Sequence, residues 1–141
     1  MKKITGLELA VIIILLCAIF IFLIPIVKGD FEKKKEAQIS ANAAIFTSKA
    51  LSYFNTDKTL KASYVANKTL EELNSISKNP YNKKQKAYVF EKGQKGAILV
   101  EFDDNIQTIT VTGFNKSLQI VVRTVIKPPS FVTYEKNKEQ N

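Results

Sequence analysis

Glu8 opens a run of nineteen residues, Leu9 to Val27, in which no side chain is charged. A charge inside hydrocarbon costs roughly 2.5–3.5 kcal/mol at mid-bilayer and less toward the interface. Glu8 therefore needs a partner, and the run that follows supplies none, so the carboxylate must be satisfied by a group outside its own helix. At 1.5 Å per residue such a run covers about 28 Å, close to the thickness of a hydrocarbon core, and a membrane span over about 9–27 is expected. A cleaved secretory signal would have a shorter apolar core and end in a small-x-small site, whereas this run ends Ile24-Pro25-Ile26-Val27-Lys28. Acylation at Cys17 is disfavoured by the bulky Leu15 and Leu16 before it.

The remaining residue types point away from catalysis. The chain has no histidine, which removes the commonest general base, the commonest metal ligand and any Ser-His or Cys-His pair. No nucleotide loop, zinc spacing or nucleophile motif is present, so an enzyme is the least fitting class and no catalytic residue, cofactor or metal is expected. Asp103, Asp104 and Asn105 are oxygen donors, but three adjacent donors do not enclose a calcium ion, and a hairpin turn is the expectation. Cys17 is the only cysteine, so a disulfide within the chain is excluded. The formal charge of +8 fits a solvated surface or attraction to a polyanion. Lys83, Lys84 and Lys86, with Tyr81 and Tyr88 nearby, are the best candidates for contact with single-stranded DNA, and a solvated loop is the plainer reading. Asn67-Lys68-Thr69 and Asn115-Lys116-Ser117 have the form of N-glycosylation acceptors.

The elements that would position these residues can be placed from periodicity. Pro25 and Gly29 are expected to kink the first helix beyond the span. From Phe31 to Phe54 the helical pattern resumes, with Ile39, Ala43, Phe46, Ala50 and Tyr53 forming one apolar stripe. The mixed-charge cluster Glu32 to Glu36 is assigned to solvent-facing turns. Residues 55–85 read as a linker containing a short helix at about 70–77, with Thr69 as N-cap and Glu72 reaching back in a capping box, ended by Asn79-Pro80. Four strands are expected within 86–127: Ala87 to Glu91, Ala97 to Phe102, Ile106 to Phe114 and Leu118 to Lys127. The turns between them fall at Gly93 to Gly96, Asp103 to Asn105 and Asn115-Lys116. Leu118, Ile120, Val122 and Ile126 should share the buried face of the last strand. Pro128-Pro129 stops the sheet, leaving a polar tail over 128–141. The fold class is α+β: a long N-terminal helix, residues 4–54, packed on a four-stranded antiparallel sheet.

From Ile4 the order Ile-Thr-Gly-Leu-Glu-Leu-Ala-Val-Ile-Ile-Ile-Leu-Leu resembles the N-terminal helix of type IV pilins and type II secretion pseudopilins, and it is also similar to that of archaeal flagellins. In that family a glutamate at the fifth mature position opens the apolar helix and a proline commonly follows seventeen residues later, the separation of Glu8 and Pro25 here. The resemblance covers about the first fifty residues. It implies a mature chain beginning at Ile4 after removal of a leader, residues 1–3, by a prepilin peptidase cutting between Lys3 and Ile4, and methylation of the new amine. Lys3 stands where the family usually has glycine. A new amine on Ile4 would lie one helical turn from Glu8. In the family one subunit's amine meets a neighbour's Glu, which sets the axial register. The implied function is structural: a homo-oligomeric helical filament, drawn from the inner (cytoplasmic) membrane and its lipid by pilus or secretion machinery to the cell surface. A secretion pseudopilin, a DNA-uptake competence pilin and an unrelated single-pass membrane protein stay open as alternatives. Basic residues flank the apolar run on both sides, and the larger group, Lys28, Lys33, Lys34 and Lys35, follows it, so their count leans against an exported domain.

Overall fold

The computed structural model describes residues 6–91 and 94–129; within the first helix the side chains at 6–12, 20 and 22–25 lie outside that description. Six elements follow one another: α1 (Gly6–Thr56), α2 (Ala62–Ile76), β1 (Tyr88–Val89), β2 (Ile98–Asp103), β3 (Thr108–Phe114) and β4 (Ile120–Ile126). The chain is thus α+β. Helix α1 is continuous over 51 residues, through Pro25 and Gly29 where a kink is expected. Its second half carries the apolar stripe. Ile39, Ala43, Phe46, Ala50 and Phe54 are all buried, while Tyr53 lies half-buried at the margin of the core. Burying a large apolar side chain is worth about 1.5–3 kcal/mol, so Ile39, Phe46 and Phe54 dominate the attachment of α1 to the sheet. Asp57 ends the helix by accepting the backbone N–H (2.9 Å) and the hydroxyl (2.6 Å) of Thr59, which holds its carboxyl below the usual carboxylate range.

The sheet has the order β1-β2-β3-β4. Strands β2, β3 and β4 pair antiparallel, as the alternation predicts, with Val100, Val111 and Thr124 in register across the sheet. The first pairing corrects the expected all-antiparallel meander: β1 runs parallel to β2, Tyr88 opposite Ile98, so the sheet is mixed. The reason lies outside the strand. The Asn74 carboxamide on α2 accepts the Tyr88 N–H (3.0 Å) and donates to the Tyr88 carbonyl (2.9 Å), standing in for a neighbouring strand. The Tyr88 ring is wholly buried beside Phe46, and its hydroxyl donates to the Asn42 carbonyl at 2.9 Å. These bonds fix β1 to the two helices, and only two of its residues join the ladder.

A second correction concerns α2. It begins at Ala62, seven residues before Thr69, and has 15 residues, so the expected short helix is only its second half and Thr69 is no cap. The cap comes from the β2–β3 turn. Asp104 accepts from the Ser63 N–H and hydroxyl, both at 2.7 Å, and Gln107 accepts the Ala62 N–H at 3.1 Å. The two bonds from Ser63 hold the Asp104 carboxyl below its ordinary range. Thr69 is instead fully buried, and Glu72, expected to reach back, points across to α1. A third correction falls on β4: Leu118 and Ile120 are exposed and only Ile126 is buried. The pairing slips at Gly113/Phe114, and Leu118 sits in the turn with φ of 61°, so the inward alternation starts at Val122. Gly113 is needed where α1 crosses the sheet, because a Cβ there would lie 2.5 Å from Ile39 and 2.9 Å from Val122. Residues 130–141, most of the expected polar tail, lie outside the described residues.

Candidate assembly surface

Helix α1 changes character between Lys28 and Glu32. On its N-terminal side Ile13, Ile14, Leu15, Leu16, Ile19, Ile21, Ile26, Val27 and Phe31 are all about half exposed or more. Four successive positions, 13 to 16, sweep the whole circumference at 3.6 residues per turn, so this part of the helix is apolar all round. A helix of that kind is one that other helices or lipid cover. Cys17 is exposed on it. From Gly6 to Phe31 the helix extends about 39 Å before the domain begins to hold it. Of the residues the sequence singled out, Lys3 and Ile4 lie outside the described residues, and Glu8 lies in the first turns of α1 with its side chain outside them. Carboxylates are favoured near a helix N-terminus. Among the described residues no helix is long and apolar enough to cross a membrane, and much of the span expected over 9–27 falls on side chains outside that set.

The domain grips α1 at two acidic side chains. Tyr81 donates its hydroxyl to Glu32 at 2.8 Å, and Asn115 donates its amide to Glu36 at 3.0 Å. Lys35 lies 4.7 Å above the Tyr81 ring and 4.0 Å from Glu32. Burial, followed by the Glu32 hydrogen bond, pushes the Tyr81 phenol up to about 12. Both gripping residues are held from below. Asn79, wholly buried, accepts the N–H groups of Tyr81 (2.9 Å) and Asn82 (3.2 Å) and donates to the Lys95 carbonyl (2.8 Å). Gly96 passes beside it at φ 75°, where a Cβ would meet Asn79 and Tyr81 at 2.5 Å. The Asn115 carbonyl oxygen of the side chain accepts the N–H groups of Ser117 and Gln119, each at 3.0 Å. The expectation that Glu32 to Glu36 faces solvent holds for Lys33 and Lys34, which are exposed, and is corrected at the ends of the cluster: Glu32 and Glu36 are half-buried because loops from the far end of the chain close over them. Nothing within the cluster marks that contact.

A second polar junction joins the helices. Glu72 accepts the Tyr53 hydroxyl and pairs with Lys49 at 3.0 Å. The Tyr53 bond, then Lys49, hold the Glu72 carboxyl down, and the same bond raises the Tyr53 phenol. Two buried polar atoms have no partner among the described residues, the Asn42 amide nitrogen and the Thr69 hydroxyl.

Other candidates are placed as follows. Lys83, Lys84 and Lys86 are exposed around the turn that Asn82 closes by accepting the Lys84 N–H at 3.1 Å. Lys83 borders one cleft and Lys86 another, so the lysines do not converge on a single groove. Asp103 and Asp104 are spent on the turn and on α2, and among the described residues no acidic, Cys or His cluster is able to hold a metal. Asn67 is exposed, with its amide on the Ser63 carbonyl at 2.8 Å, whereas the Asn115 amide is engaged by Glu36. No family model, curated protein or solved structure matches this chain.

Proposed function

We propose that this chain is a structural subunit of a type IV pilus-like filament, held in the membrane by the first half of α1 and polymerised through it. The observation that carries the reading is the division of one continuous helix: the described large side chains from Ile13 to Val27 are apolar and exposed, charged residues begin at Lys28, and from Ile39 onward the inward stripe is buried on the domain. Such a helix serves two surroundings in turn, lipid before assembly and neighbouring helices after it, where close packing replaces lipid contacts. Glu8 near its start meets the amine of Ile4 on a neighbouring copy, an ion pair that offsets burial of both charges and fixes the axial offset between subunits.

The test is N-terminal mass spectrometry on the protein from a sheared cell-surface fraction. A chain beginning at Ile4, with or without a methyl group, supports the reading. An intact Met1 found only in membranes sinks it and leaves a membrane-anchored α+β domain. Processed chains confined to the cell envelope would assign the subunit to a secretion pseudopilus.

A further inference from the structure

The cleft between α1 and the loop that follows α2 has no occupant among the described residues. It encloses about 490 Å³ between Gln38, Asn42 and Ile45 on one wall and Ile76, Lys78 and Lys83 on the other. Its apolar rim is exposed, Ile76 at 74% and Ile45 at 45%. At its base Asn42 is 2% exposed, and its amide nitrogen has no hydrogen-bond partner among the described residues. Two lysines and a pair of aliphatic side chains describe an occupant that is apolar at its tip and acidic at its flanks.

The β2–β3 turn has that description. Ile106 stands out at 67% exposure, with Phe102 at 43% beside it, and Glu101 and Asp103 are exposed on the approach. The turn is rigid before anything meets it. Asp103 accepts the N–H groups of Asn105 (2.8 Å) and Ile106 (3.4 Å), Asp104 is fixed to Ser63, and the Gln107 amide donates to the Asp104 carbonyl at 2.9 Å. A knob already ordered loses little freedom on docking. Its position rules out insertion into the cleft of the same molecule. The turn caps the first turn of α2, just beyond the end of α1 at Thr56, and fourteen residues of helix, about 21 Å, separate Thr56 from Asn42.

We infer that the β2–β3 turn of one copy docks into the Asn42 cleft of a second copy, Ile106 between Ile45 and Ile76, with Glu101 and Asp103 against Lys78 and Lys83. The two surfaces differ, so the contact is head-to-tail, and its repetition generates a ring or an open row according to the rotation between copies. Each chain carries +8, so copies repel in most orientations, and the acidic knob on the lysine rim is the orientation in which local charges attract. The contact is a property of the domains. It rests on the filament reading only for its use as a second link between subunits, additional to that made by α1.

The test uses the full chain in mild detergent, with Cys17→Ser as background. Ile76→Cys and Ile106→Cys are made separately, given different tags, mixed and oxidised. Both sites are exposed, and the near-ultraviolet tyrosine signal checks that each variant is folded. The expected result is a 76–106 heterodimer well in excess of the roughly half share that random collision gives. Lys83→Glu on the Ile76→Cys chain should lower its yield several-fold, and Glu101→Lys on the Ile106→Cys chain should restore it. A statistical mixture, a predominance of 76–76 or 106–106 species, or indifference to both charge changes overturns the proposal. The filament reading is tested separately by the N-terminal mass. Processed, shearable chains without the 76–106 link would refute this contact alone, and the link on chains with intact Met1 would refute the filament alone.

Discussion

Thr69→Val separates two accounts of how α2 is held. As the N-cap of a short helix, Thr69 would satisfy an N–H of the first turn, and its loss would cost roughly 0.5–2 kcal/mol. In the structure Thr69 lies inside α2, fully buried, with a hydroxyl that no described group accepts or donates to. An unpaired hydroxyl of that kind costs about 1–3 kcal/mol to bury. Valine has nearly the same shape and both residues are β-branched, so packing and helix propensity are little altered. The expected change is a gain of about 1 kcal/mol. For a folded unit of about 100 residues that raises the midpoint of thermal unfolding by roughly 4–8 °C. The assay is thermal unfolding of the full chain in detergent, followed through the near-ultraviolet signal of Tyr53, Tyr64, Tyr81 and Tyr88, since an apolar helix in a micelle keeps its far-ultraviolet signal. A midpoint that is unmoved or lowered would refute the reasoning. Asp104→Ala is the companion: it removes the observed cap and should lower the midpoint where Thr69→Val raises it.

Further outcomes can be checked with the same material. Gly113→Ala places a methyl group against Ile39 and Val122 and should destabilise by about 1–3 kcal/mol through overpacking, read as a lower urea midpoint with unchanged slope. The carboxyls of Asp57, Glu72 and Asp104 all titrate below their ordinary values. Their contribution is therefore complete above about pH 4–5, where the unfolded groups are ionised, and disappears as the pH falls through the lower folded values. Urea midpoints between pH 7 and 2 should fall in that acid range, and less so for Asp104→Asn. Glu8→Ala should leave the unfolding midpoint of the domain unchanged while removing protein from the sheared fraction; undiminished filaments would detach Glu8 from assembly. Tyr81→Phe should speed proteolysis near Lys28 to Lys35 without a matching loss of the Phe46–Tyr88 core, measured by limited digestion.

What could be seen in the sequence was what neighbouring residues determine. The stripe from Ile39 to Ala50 repeats at helical spacing, and the alternation of Ile109 and Val111 with threonines marks β3; both were legible because three or four residues carry the signal. The start of α2 was not, because its cap residues lie 41 and 45 positions away, whereas Thr69-Leu70-Glu71-Glu72 imitates a local cap. The parallel course of β1 depends on Asn74 and Asn42, and Asn42 is 46 residues from the tyrosine hydroxyl it holds. The grip on α1 is more distant still, since Glu36 and Asn115 are 79 residues apart. In the candidate assembly surface, the exposed apolar run from Ile13 was plain from composition, and its junction with the domain was invisible.

That junction makes α1 a lever. Glu32 and Glu36, the two gripped positions, are about 6 Å apart along the axis, while the helix reaches about 39 Å beyond them to Gly6. A relative shift of about 1 Å between Tyr81 and Asn115 thus becomes a sideways swing of about 6 Å at the far end, if the rod stays straight. In the proposed filament, the two hydrogen bonds at the pivot act together with the buried stripe from Ile39 to set the direction in which the free half of α1 is presented to a neighbour.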